Sequence, residues 1–148
     1  MRETRIGVAL LVLLALGLAP SRSSRAEGGD GFVVIVNPAN PTTVVARSFL
    51  QAVYMNKVAG WSDGTAILPI DLRTAFPVRE RFIRAVLRKT PQQLKRYWSQ
   101  QIFSGKGVPP PEADSPAAVI TFVLAHPGAV GYLPAGVDPG GARVVPLE

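Results

Sequence analysis

Residues 32–41 read FVVIVNPANP, an apolar run of strand length followed at once by a turn with two prolines. The five apolar residues from Phe32 to Val36 are typical of a strand that is buried on both faces. Pro38 and Pro41 cannot donate to a strand ladder, and each favours extended geometry in the residue before it. We therefore expect the strand to end at Val36 and to lie within a sheet that is covered by helices.

Helix-start signals recur after this turn. Thr42 or Thr43 is expected to cap a first helix. Three further helix starts are predicted at Pro77, at Thr90 followed by Pro91, and at Ser115 followed by Pro116. Apolar residues repeat at helical spacing in the first two helices: Val45, Phe49, Ala52 and Val53, then Phe82, Ile83, Val86 and Leu87.

Short apolar runs at 66–70 and 129–133 predict two more strands, and 143–147 predicts a terminal strand at a sheet edge, where Pro146 is tolerated. Strands that are separated by helices favour crossover connections between parallel neighbours. The sequence therefore predicts an α/β fold with a mainly parallel sheet flanked by helices.

The N-terminal segment has the pattern of a secretory signal peptide. Arg2 and Arg5 precede an apolar run from Ile6 to Leu18, and Ser24-Arg25-Ala26 forms a small-x-small cleavage site. A membrane anchor is the alternative, but a spanning helix needs roughly 17 to 25 apolar residues. We expect cleavage near Ala26, a periplasmic or otherwise extracytoplasmic location, and a single domain over 27–148.

Composition limits the chemistry that this domain can carry out. The chain has no cysteine and one histidine, His126, so the sequence offers no thiol nucleophile and no spaced set of metal ligands. No cofactor is predicted. A hydrolase that uses His126 with a serine is a remaining hypothesis, although no oriented third group is apparent.

The charge balance changes when the signal segment is removed. Without its four arginines and one glutamate, 12 basic and 9 acidic residues remain, a net charge of +3 instead of +6. This modest charge argues against nucleic acid as a partner. The basic run from Arg79 to Arg96 is interpreted as a solvated helix face, with phosphate contact and partner docking as alternatives.

Five phrases in order carry a resemblance to a known family: the strand running into Asn37-Pro38-x-Asn40-Pro41, Tyr54 to Lys57 followed by Trp61-Ser62-Asp63-Gly64, the pair Tyr97-Trp98, Ile102 to Gly107 with Pro109-Pro110, and His126 to Tyr132. Together they resemble short phosphate-type periplasmic solute-binding proteins of ABC transporters. The likeness runs from about Val33 to Leu133.

This resemblance implies one lobe of a type II periplasmic-binding-protein fold. In full-length relatives two such lobes close on a tetrahedral oxyanion, at an Arg-x-x-Gly-Ser-Gly-Thr type turn that enters a helix. The matching stretch here is 71–79, in which Phe76, Pro77 and Val78 replace a serine, a glycine and a threonine. Arg73, Thr74 and Arg79 remain as the candidate anion contacts.

Two functions follow as expectations from this resemblance. The first is a non-enzymatic solute-binding-protein-like domain that contacts phosphate or a similar oxyanion weakly, because one lobe cannot enclose an ion. The second is an interaction or regulatory module that kept the fold, lost the ligand and works beside a membrane transporter or sensor subunit. A homodimer could in principle rebuild a two-walled cleft.

The predicted signal peptide can be tested directly. When the full chain is expressed in a bacterial host with an export pathway, we expect the extracytoplasmic fraction to contain a protein that begins at Glu27, as measured by intact mass. Recovery of the full-length chain in the membrane fraction would instead support the anchor.

Overall fold

The computed structural model describes residues 30–148, so the predicted signal peptide over 1–26 lies outside the described residues. The elements in chain order are β1 (Phe32–Val36), α1 (Arg47–Tyr54), β2 (Leu68–Pro69), β3 (Asp71–Leu72), α2 (Pro77–Phe82), a π-helix (Ile83–Leu87), α3 (Pro91–Phe103), β4 (Glu112–Ala113), α4 (Pro116–Ala125), β5 (Ala129–Pro134) and β6 (Arg143–Val145). No helix among these residues is long and apolar enough to cross a bilayer.

The main sheet has four strands in the order β2-β5-β1-β6. β1 is antiparallel to both of its neighbours, with Val36 opposite Val130 in β5 and opposite Arg143 in β6. β2 runs parallel to β5, and β3 and β4 form a separate parallel pair. The α/β class and the flanking helices are confirmed, but the expectation of a mainly parallel sheet is wrong for this four-stranded sheet. β1 and β5 are adjacent in space although several elements separate them in the chain, so no single crossover determines their relative direction.

The predicted position of β1 is confirmed, and its side chains form the centre of the core. Val34, Ile35 and Val36 are fully buried. An aromatic group packs beside the strand: the rings of Phe82 and Tyr132 stack with centroids 3.9 Å apart, and Phe32 and Tyr54 meet Phe82 edge-on. Stacked and edge-on pairs of this kind stabilise a core beyond the area that they bury.

Capping residues and first-turn prolines correctly predict the starts of α2, α3 and α4. Thr90 and Gln93 form a reciprocal capping box, and the Ser115 hydroxyl accepts from the Ala118 N–H. Pro77, Pro91 and Pro116 each occupy the first turn of a helix, as predicted. The apolar stripe from Phe82 to Leu87 is buried, but residues 83–87 form a wider π-helical turn that ends at Arg88 with a φ of 53°.

The predicted start of α1 is wrong. The helix begins at Arg47, and neither Thr42 nor Thr43 caps it. The C-terminal tail explains the difference, because the Val45 N–H donates to Pro146 and the Val45 carbonyl accepts from the Glu148 N–H. These two bonds hold the backbone extended at Val45, where a helix would have to continue.

Glycine 131 lies where α4 packs closely on β5. A Cβ added at this position would come within 2.7 Å of Val119 and 2.9 Å of Ile70. Distances this short force side chains or backbone to move in a close-packed core.

We expect Gly131→Ala to lower the free energy of unfolding by about 1–3 kcal/mol through overpacking. Gly60→Ala is the matched control, because the nearest atom to an added Cβ there is 3.9 Å away. Its effect should stay within about 0.5 kcal/mol in urea denaturation. Equal effects of the two substitutions would contradict the packing argument.

Candidate functional site

The three predicted anion contacts meet at one place on the surface, where the parallel strands β3 and β4 end and α2 begins. The turn at 73–76 connects β3 to α2, with the Phe76 N–H donating to the Arg73 carbonyl. β4 brings acidic residues from about 40 positions further along the chain to the same place. We call this group the arginine–carboxylate cluster: Asp71, Arg73, Thr74, Arg79, Glu112 and Asp114.

Arg79 is the centre of the cluster, and its side chain is only 15% exposed. Its Nε and one terminal nitrogen both donate to Oδ2 of Asp71 at 3.1 Å. The same terminal nitrogen donates to Glu112 at 2.9 Å, and the other donates to the Thr74 hydroxyl at 2.8 Å. Every nitrogen of the guanidinium therefore already has an acceptor within the protein.

Asp71 is the buried anion of the cluster, with 7% of its surface exposed. Besides Arg79, it accepts hydrogen bonds from the Tyr132 hydroxyl and from the Leu72 N–H. Burial, followed by the charge of Asp71, raises the pKa of Tyr132 and of Tyr54 well above the usual range, so both hydroxyls stay protonated. Burial alone would lower the pKa of Arg79, but its carboxylate partners raise it overall.

Arg73 is held differently. It forms an ion pair with Asp114, and both side chains are mostly exposed to solvent. Thr74 is also exposed and uses its hydroxyl to accept from Arg79. Arg73 and Thr74 are therefore the two predicted contacts that a dissolved anion could reach without displacing a buried group.

The electrostatic balance of the cluster does not favour an added anion. Among the described residues that make up the cluster, three carboxylates face two guanidinium groups, which leaves a local charge of −1. At the start of α2, Pro77 has no N–H, and the Arg79 N–H donates to the Phe76 carbonyl. The N-terminal turn of α2 thus offers an anion fewer backbone donors than a glycine-rich turn would.

His126 does not form a catalytic arrangement with a neighbouring side chain. Its Nδ1 lies 2.8 Å from the Phe122 carbonyl, and its ring packs against Phe122. The part of the chain that the structure describes contains no group of three residues suited to hold a metal ion. In the basic run, Arg81, Arg84 and Arg88 are exposed as expected for a solvated face, with Arg84 paired to Glu80.

The phrases that carry the family resemblance connect separate elements of the fold. The Asn37 side chain donates to the Val123 carbonyl near the end of α4, and the Trp61 indole donates to the Gly128 carbonyl. The Tyr97 hydroxyl donates to the Met55 carbonyl. Each of these motifs therefore has a structural role in holding the lobe together.

Sequence reasoning identified the arginines of the cluster but missed their partners. Asp71 lies in the predicted stretch, yet nothing in the sequence indicates that its carboxylate turns inward to Tyr132. Glu112 and Asp114 follow three consecutive prolines, a run that is typical of a loop. Only the pairing of β3 with β4 places them beside Arg73 and Arg79.

Comparison with solved structures establishes the class of fold: it is the fold of phosphate-type solute-binding proteins, as the resemblance implied. An ABC-type phosphate transport receptor from Vibrio cholerae matches with a TM-score of 0.56 and 19% identity, over 79% of this chain and 46% of that one. A protein from Clostridium perfringens, assigned as a phosphate ABC transporter substrate-binding protein and solved with bound phosphate, matches with a TM-score of 0.62 and 16% identity, over 79% and 44%. PstS from Borrelia burgdorferi matches with a TM-score of 0.61 and 12% identity, over 80% and 47%.

The chain spans less than half the length of these three structures. This share of their length agrees with the single lobe that the resemblance implied. No family profile matches the chain, and no curated protein sequence matches it. At identities below 20% the likeness establishes the fold and leaves the ligand to be argued from the residues.

The two arginines of the cluster should differ sharply when each is replaced. We expect Arg79→Met to lower the free energy of unfolding by about 3–5 kcal/mol, because it leaves the buried Asp71 carboxylate without its cation. Arg73→Met removes only an exposed ion pair and should cost less than about 1 kcal/mol. Urea denaturation of both variants measures the difference.

The double variant Asp71→Asn/Arg79→Met is the control for this comparison. Because the asparagine carries no charge, it should recover part of the stability that Arg79→Met loses. If Arg79→Met is as mild as Arg73→Met, the cluster does not depend on a buried ion pair.

Proposed function

We propose that this chain is a non-enzymatic, extracytoplasmic domain that keeps the solute-binding-protein fold and acts as an interaction or regulatory module beside a membrane transporter or sensor subunit. The single observation that carries the proposal is the set of partners that Arg79 already has within this chain. Four of its five N–H groups donate to Asp71, Glu112 and Thr74. The strongest candidate cation for an oxyanion is thus used to stabilise the fold.

An anion would have to compete with these internal acceptors. Displacing Asp71 would leave a buried carboxylate without its cation, which is strongly unfavourable. Displacing only Glu112 would still bring a second negative charge close to Asp71 and Asp114. A single lobe also supplies one wall, so solvent screens any ion that it holds. The loss of the Arg79–Asp71 pair, the repulsion by the neighbouring carboxylates and the screening by solvent together argue against binding of an oxyanion at micromolar concentration.

The comparisons and the N-terminal segment support the biological setting of the proposal. The similar structures include a phosphate transport receptor and a phosphate ABC transporter substrate-binding protein, which relates this lobe to phosphate-transport systems. The predicted signal peptide agrees with a location outside the cytoplasm. Among the described residues, the His126 ring meets the Phe122 backbone carbonyl and no serine or carboxylate, which favours a non-enzymatic role.

Weak oxyanion contact is the second candidate function, and one observation favours it. Arg73 and Thr74 remain exposed at the turn before α2, so phosphate can approach them without breaking the Arg79–Asp71 pair. The energy available there is small, because exposed charges are screened and Asp114 competes for Arg73. A self-dimer that adds a second wall would strengthen such a site.

Calorimetry with phosphate and with sulfate separates these functions. For the main proposal we expect no heat of binding up to about 10 mM ligand, which corresponds to less than about 3 kcal/mol of binding free energy. Millimolar binding that disappears in Arg73→Ala would support the second candidate. Micromolar binding would overturn the main proposal.

Two further measurements complete this test. Light scattering with and without 10 mM phosphate detects a dimer that depends on the ligand. Co-purification from membranes tests the proposed interaction with a membrane protein. We expect a transporter or sensor subunit to be recovered equally with and without phosphate. Failure to recover any membrane protein would contradict the interaction role.

A further inference from the structure

The C-terminal end of α3 exposes large apolar side chains that no part of the described core covers. Phe103 is 95% exposed, Ile102 is 54% exposed, and Val108, five residues later, is 68% exposed. Single exposed apolar residues are normal on a protein surface. A nearly bare phenylalanine next to an exposed isoleucine, with an exposed valine five residues later in the chain, is the kind of feature that marks an interaction site.

Helix geometry explains why Phe103 points away from the core. Leu94 and Trp98 are the buried residues of α3. Phe103 follows Leu94 by nine positions, or about two and a half turns, so its side chain lies on the opposite face of the helix. Phe103 therefore projects outward, and its exposure does not result from a frayed helix end.

Lys106 lies in the turn that ends α3, and Lys57 lies in the chain segment that packs beside this turn. The Lys106 N–H donates to the Gln101 carbonyl, and the Gly105 N–H donates to the Ile102 carbonyl, which folds the chain back on the last helical turn. Gly107 lies directly against the Asn56 side chain, so the neighbouring Lys57 is on the same side of the molecule. We call this group the α3 tip: Lys57, Ile102, Phe103, Lys106 and Val108.

Charge distinguishes the surroundings of the α3 tip from those of the arginine–carboxylate cluster. From Arg81 to Pro111 the sequence contains seven basic residues and no acidic one. Lys57 and Lys106 are exposed, and α3 adds the exposed residues Lys95 and Arg96. An outward-pointing apolar end with basic neighbours complements a surface that is negatively charged outside and apolar beneath.

We propose that the α3 tip is a membrane-contact site for anionic phospholipid bilayers. Phe103 and Ile102 enter the boundary between headgroups and acyl chains, and Lys57 and Lys106 contact the lipid phosphates. A protein groove is less well matched, because the apolar residues sit on the projecting end of a helix and the basic charge continues over two turns of α3. The inference is independent of the proposed function, since it uses no residue of the arginine–carboxylate cluster.

Vesicle flotation tests the proposal. The chain is expressed with its own N-terminal segment and purified after export, and its mass is measured so that a retained segment 1–26 is not mistaken for the α3 tip. We expect binding to phosphatidylcholine vesicles that contain roughly 30% phosphatidylglycerol, and far weaker binding to pure phosphatidylcholine. Absence of binding to the anionic vesicles overturns the proposal.

Variants of the α3 tip identify the contact. We expect Phe103→Ser to weaken binding at least about tenfold, because an inserted phenylalanine gains most of its transfer energy. Leu124→Ser is the matched control, since Leu124 is an exposed apolar residue on α4, and it should bind as the wild type does. If the two variants weaken binding equally, the α3 tip is not the contact.

The lysines are tested with a charge-matched pair. Lys57→Gln/Lys106→Gln should weaken binding about 25-fold, since each basic residue near an anionic surface contributes about fivefold. Arg81→Gln/Arg84→Gln removes the same charge outside the α3 tip and should change binding by less than about threefold. An equal loss in both double variants would mean nonspecific attraction and would overturn the proposal.

Insertion itself has a separate readout. The native tryptophans, Trp61 and Trp98, are buried. A Phe103→Trp variant should therefore gain a fluorescence component that brominated lipids quench, while the wild type stays unquenched. Binding of Phe103→Trp without quenching would show adsorption without insertion and would contradict the proposed depth.

Discussion

The carboxylate of Asp71 is buried, and three separate parts of the chain supply the groups that compensate it. Arg79 comes from α2, the Tyr132 hydroxyl from β5, and the Leu72 N–H from β3 itself. A buried charge without such partners is strongly unfavourable, so the packing of these three elements is tied to one ion pair. The ring of Tyr132 also stacks on Phe82, which joins the polar contact to the aromatic core.

This ion pair also decides what the surface turn before α2 can do. A phosphate site needs guanidinium and backbone donors that are free to bind an external anion. Here a carboxylate from within the fold occupies the position that such an anion would take on Arg79, and Glu112 adds a second one. A shared fold therefore does not by itself imply a shared ligand, because fold and ligand depend on different residues.

The arginine–carboxylate cluster and the α3 tip differ in their electrostatics. At the arginine–carboxylate cluster, positive charge is matched by internal carboxylates over a few ångströms. At the α3 tip, Lys106 belongs to a stretch from 81 to 111 that contains seven basic residues and no acidic one, and the exposed apolar side chains of Ile102 and Phe103 lie in the same stretch. An external negative partner is therefore favoured at the α3 tip and disfavoured at the cluster.

Local features of this protein could be predicted from the sequence alone. The bounds of β1, the proline-led starts of α2, α3 and α4, and the buried stripe from Phe82 to Leu87 all depend on residues within one turn or one strand. The five phrases also indicated the correct fold, and residues of four of them form hydrogen bonds between separate elements. Features that depend on distant residues could not be predicted. The antiparallel pairing of β1, the late start of α1 and the contact of Glu112 with Arg79 each require segments about 30 to 110 residues apart to meet. Periodicity and capping patterns carry no information about such meetings, since only the packed structure decides which distant groups satisfy one another.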